Sequence, residues 1–95
     1  MKNQFALKNN SFLPLVIIRD EDILKDVYLG FVPGINMHYV IDKSIQTCKI
    51  KLKKFISEKI KNMLKNNEKF PIFPSKEEIL QDFSNVIDIE MISLN

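Results

Sequence analysis

Ninety-five residues with 45% hydrophobic side chains and a formal net charge of +2 describe one folded domain and argue against a disordered chain. A chain this short buries roughly 60–70% of the surface its unfolded form exposes, enough for a single core. No run of about 20 apolar residues could span a bilayer, and the start MKNQFALKNN lacks the apolar centre of a secretory signal. Cys48 stands alone and can form no internal disulfide, which fits a reducing cytoplasm. Of the 14 basic residues only Arg19 is arginine. Surfaces that read phosphates favour the planar guanidinium fork, so the mild basicity does not by itself point to nucleic acid.

Residues 1–10 are polar apart from scattered Phe5, Ala6 and Leu7 and are expected to form a loose arm; residues 11–95 form the single domain. The run FLPLVII, Phe12 to Ile18, is short, apolar and β-branched, which predicts a strand. The acidic turn RDED follows. Between Lys25 and Val32, Val27, Leu29 and Phe31 alternate with Tyr28, Gly30 and Val32, the period of a second strand. Pro33-Gly34 then supplies a preset φ followed by a residue that accepts positive φ, the chemistry of a turn. Alternation resumes from Ile35 to Ile41, so a third strand should pair antiparallel with the second.

From Asp42, expected as the N-cap, Ile45, Cys48, Leu52, Phe55, Ile56, Ile60, Met63 and Leu64 recur at spacings of three and four, one face of a long helix. Lysines occupy most of its remaining surface. Phe70-Pro-Ile-Phe-Pro74 must be extended. Ser75 and Glu78 have the spacing of a capping box and open a short helix. Val86 to Ile92 alternates again and predicts a last strand. The expected fold is α+β, in the order β-β-β-α-α-β: an antiparallel three-stranded meander plus a fourth strand, with both helices on one face.

If Leu29, Phe31, Met37, Tyr39, Ile87 and Ile89 face those helices, the opposite face still carries Tyr28, Val32, Val40, Val86 and Ile92. A contiguous apolar patch of that kind suggests self-association into a dimer or higher homo-oligomer. Asp88 and Glu90 would lie on that open side as well. The acids Asp20, Glu21, Asp22 and Asp26 share one turn; they read as a solvated loop, as a contact for a basic partner, or as a metal site, which would need carboxylates converging from separate elements. His38 has no obvious proton partner and reads as a surface residue. Cys48 falls on the apolar helix face and reads as a small buried hydrophobe. The lysines of KIKLKK, Lys49 to Lys54, read as a solvated helix back or as a weak polyanion surface, with no exposed aromatic expected beside them for stacking bases. No zinc-ligand spacing and no glycine-rich phosphate loop occurs, so neither metal nor cofactor is expected.

The landmarks taken together resemble the HicB-type antitoxins of bacterial toxin–antitoxin pairs. The apolar strand with its acidic turn (Leu15 to Asp22), the aromatic strand ending in Pro-Gly (Tyr28 to Gly34), the long helix, the link Phe73-Pro-Ser-Lys-Glu-Glu-Ile79 and the last strand Val86 to Met91 occur in the order of that family's N-terminal domain. The chain differs where the family usually carries an acidic residue before Leu-Pro-Gly and a cysteine after it; here the stretch is Phe31-Val-Pro-Gly-Ile35. No C-terminal DNA-binding segment of the kind the family often appends is expected. The resemblance implies a partial RNase H-like fold and a non-catalytic antitoxin acting in the cytoplasm. It implies occlusion of a small basic HicA-like mRNA-cleaving toxin; the candidate toxin-facing element is the acidic turn with Asp20, Glu21, Asp22 and Asp26. Two other functions fit the same pattern: an orphan HicB-like oligomerisation or interaction module, and a weak RNase H-like nuclease.

Overall fold

A computed structural model describes residues 12–22 and 25–93; the expected arm over residues 1–10 lies outside the described residues. The FLPLVII run forms strand β1, Phe12–Ile18. Strands β2 (Tyr28–Phe31) and β3 (Val40–Asp42) follow, then helix α1 (Ile45–Lys65), helix α2 (Lys76–Asp82) and strand β4 (Val86–Ser93). The fold is α+β, in the expected element order. The sheet runs β3-β2-β1-β4, with every neighbouring pair antiparallel. β1 is therefore an interior strand, and its continuous apolar run is what a strand covered on both faces requires.

Pro33-Gly34 does make a turn. Gly34 has φ +97, and the Ile35 N–H donates to the Val32 carbonyl at 3.2 Å. It does not close a tight hairpin, however. A two-residue loop would set Phe31 opposite Asn36, whereas Gly30 pairs with Val40 and Tyr28 with Asp42. The third strand expected from Ile35 to Ile41 shrinks accordingly to Val40–Asp42. Residues 35–39 leave the ladder, and Ile35 and Met37 pack onto the core while the Tyr39 ring meets Phe31 edge-on at 5.3 Å. Apolar burial outweighs the extra ladder hydrogen bonds here.

α1 is capped by Ser44 rather than Asp42. The Ser44 Oγ accepts the Thr47 N–H at 3.3 Å, while Asp42 ends β3 and accepts the Ser44 N–H at 3.0 Å. Cys48, Leu52, Ile56 and Met63 form its buried stripe, but Leu64 is exposed and Phe55, at 42%, lies on the stripe's border. Asn67, with φ 54, ends the helix in the left-handed conformation that asparagine tolerates. α2 opens with the expected capping box: the Ser75 Oγ accepts the Glu78 N–H and Glu78 Oε1 accepts the Ser75 N–H.

The two helices do not share a face. α1 lays Cys48, Leu52 and Ile56 against Leu13, Leu15 and Ile17 of β1, with Val32. Gly30 allows this approach, since a Cβ there would lie 3.0 Å from Cys48 Sγ and 3.2 Å from Ile17 Cδ1. α2 lays Ile79 against Val16, Ile18, Leu29 and Phe31, the alternate residues of the same strands. Strands apolar on both sides need a roof on each, and the short helix supplies the second one. The patch proposed for self-association is therefore not an open face. Tyr28, Val32, Val40 and Ile92 are the floor beneath α1, and Val32 is only 1% exposed. Val86 leaves that group altogether, because an irregularity between Ile17 and Ile18 moves it to the α2 side. Among the described residues no helix is long and apolar enough to cross a membrane.

Candidate partner-binding surface

Arg19, the first residue after β1, organises the acidic turn. Its guanidinium reaches Glu21 at 3.2 Å and Asp26 at 3.9 Å and stands 5.6 Å from the centre of the Tyr28 ring. The Asp22 N–H donates to Asp20 Oδ1 at 3.1 Å, a local bond that aspartate makes readily in turns. Asp26 has φ 62, a conformation Asp accepts more easily than most residues. The four acids thus divide: Glu21 and Asp26 share the Arg19 charge, and Asp20 and Asp22 do not.

A fifth acid joins them. The Arg19 N–H donates to the Asn85 carbonyl at 3.2 Å, which draws the end of α2 alongside the turn. The result is a shallow recess of about 520 Å³ lined by Asp20, Glu21, Asp22, Asp82, Phe83 and Ser84, among others. Asp82 is more than fifty positions away in sequence and carries no local signal of this role; only the return of β4 beside β1 brings it here. Among the described residues no group of three or more His, Cys, Asp or Glu is arranged to hold a metal ion. With four carboxylates to the single guanidinium of Arg19, and Phe83 beside them, the recess is negative on balance. A basic protein surface is the kind of partner that complements it.

The other candidate groups have structural partners. Asp88 and Glu90 point at α1, not away from it: Lys49 Nζ lies 2.8 Å from Asp88 and 3.1 Å from Glu90, and Lys53 Nζ lies 3.1 Å from Glu90. Lys51 pairs with Asp42 at 2.8 Å. The lysine run is thus partly spent on tying α1 to the two sheet edges. Phe55, expected in the core, is instead an exposed aromatic beside Lys51, Lys54 and Lys59, with Glu58 among them. His38 is exposed in the connection from β2 to β3. Cys48 is buried, its thiol directed at the Val40 carbonyl at 3.5 Å, and burial pushes its pKa up.

The α1–β4 ion pairs carry a pH signature. Hydrogen bonds from Lys53 and then Lys49 hold the Glu90 carboxyl below its ordinary 4.5. Asp88, then Glu90, raise Lys49 above 10.5. A depressed carboxylate stabilises the fold above its unfolded pKa and ceases to do so as pH falls through the lowered value. A raised lysine stabilises below its unfolded pKa and loses that effect as pH rises through the folded one. The contribution of these ion pairs should therefore be flat between these limits and decline on the acid side below pH 4.5. Urea unfolding across pH should show Glu90→Gln less stable by about 0.5–1 kcal/mol at neutral pH, with a shallower acid limb. An acid limb unchanged by the substitution would remove Glu90 from this role.

The chain matches no family model, no curated protein and no solved structure.

Proposed function

We propose that the chain is a HicB-like antitoxin that binds a small basic, HicA-like mRNA-cleaving toxin and covers its active site or RNA surface. On this reading the four-stranded sheet with its long helix is a partial RNase H-like domain that works by occlusion, in the cytoplasm and without catalysis of its own. The observation that carries the proposal is the acidic recess, in which Asp20, Asp22 and Asp82 are gathered from two separated segments onto one end of the molecule. Affinity would come from apolar burial at the contact, with charge setting orientation and encounter rate. Phe83 lies within the recess, and Leu80 is an exposed apolar residue of the same short helix.

The reading requires a short basic protein encoded beside the gene, and the test is co-expression with that neighbour. Relief of that protein's growth arrest and co-purification of the pair are the expected results. Arrest that persists, with no co-purification, would discard the antitoxin reading.

A further inference from the structure

The order β3-β2-β1-β4 leaves three-residue β3 at one border of the sheet and eight-residue β4 at the other. Among the described residues no strand lies beyond β4. Over residues 87–91 such an edge presents backbone donors and acceptors on its outer side, and proteins that keep an edge single commonly place Pro or outward Lys on it. The strand VIDIEMIS contains neither. Its two charges, Asp88 and Glu90, are turned onto the α1 face and engaged there by Lys49 and Lys53. On the α2 side the strip beside this edge is apolar: Met91 is 38% exposed and Phe12 is exposed, with Ile87, 48% exposed, next to the irregular pairing.

The geometry points to a second copy of this chain as the occupant, pairing β4 with β4 antiparallel about a two-fold axis normal to the sheet at Ile89. That axis keeps both α1 helices on one side, so odd residues meet odd and even meet even. Ile89 then sits beside Ile89 of the second copy, and Ile87 beside Met91 of the second copy. On the α1 side Asp88 meets Glu90 of the second copy, a like-charge contact that would ordinarily oppose pairing. Here each protomer's own Lys49 and Lys53 already match its two carboxylates. The edge therefore asks no charge of its partner, and its apolar row complements itself. That combination selects an isologous contact with the same chain over a basic protein such as the proposed toxin. The product is one continuous sheet with four strands from each copy, formed at the edge rather than on the face beneath α1.

This inference stands apart from the antitoxin reading, because it is tested on the full chain alone. Light scattering after size exclusion should give twice the 11.1 kDa chain mass. Met91→Lys, which puts an outward lysine on the edge, should give the single-chain mass with an unchanged circular dichroism spectrum. Ile50→Lys, on the exposed back of α1, should remain dimeric. In the unsubstituted chain, amides of residues 87–91 should gain exchange protection as concentration rises, a readout that decides the matter even if Met91→Lys fails to fold. A single-chain mass at every concentration would overturn the inference. So would a dimer that Met91→Lys leaves intact, or edge amides whose exchange ignores concentration. Failure to co-purify with a toxin would leave these results untouched.

Discussion

Ile79→Ala is expected to destabilise the fold by about 2–5 kcal/mol, as much as a substitution in the middle of the core, although it sits on a helix of seven residues. An isolated helix that short is marginal in water. Its capping box contributes on the order of 1 kcal/mol, so the helix persists because it is docked. Ile79 is its one buried residue, 1% exposed, and it closes Val16, Ile18, Leu29 and Phe31 from solvent together with Phe83. Truncation opens a cavity over the centre of the sheet and removes what holds α2 down. The neighbouring Leu80 is half exposed, and Leu80→Ala should change stability by no more than about 0.5 kcal/mol. Urea unfolding of both variants distinguishes them through the transition midpoint at constant slope. Equal effects would mean that α2 does not roof the second face.

That second roof marks the boundary of what the sequence discloses. The period of two in KDVYLGFV separates Tyr28 and Val32 from Leu29 and Phe31 correctly, because a strand's side chains must alternate. It cannot say which set receives the long helix, since both sets are apolar. Gly30 decides it physically: only the face lacking a Cβ there admits Cys48 at such close range. The capping box at Ser75 and Glu78 was legible because its two hydrogen bonds are local and fixed by spacing. The cap of α1 was not, because Asp42 and Ser44 are both competent caps, and Asp42 is claimed by Lys51 from the next turn of the helix. The shortening of β3 was equally hidden. Ile35 and Met37 alternate as a strand would, yet tertiary burial takes them out of the ladder. At the candidate site the turn acids were visible as a cluster, but their division by Arg19 and the arrival of Asp82 depend on chain closure at Asn85.

If the chain binds the toxin proposed above, reversing Asp22 and Asp82 together, as Asp22→Lys with Asp82→Lys, is expected to slow association by about tenfold or more at low salt, since charge complementarity acts mainly on encounter. Both positions are exposed, so the fold should survive, as circular dichroism would report. The reversal at Glu21 should have a smaller effect. A single reversal changes the net charge by two where the double variant changes it by four, although it also unmasks the Arg19 guanidinium that the Glu21 carboxylate partly offsets. Salt separates electrostatic steering from lost contact: the deficit of the double variant should shrink as ionic strength rises and the Debye length falls below about 8 Å. Lys54→Glu, on the exposed back of α1, lies on a different element and should leave the rate near that of the unsubstituted chain. Stopped-flow association across a salt series measures all of these. If Lys54→Glu alters the rate and the Asp22 and Asp82 reversals do not, the toxin approaches the lysine-bearing back of the helix. The acidic recess would then be an ordinary solvated end of the sheet.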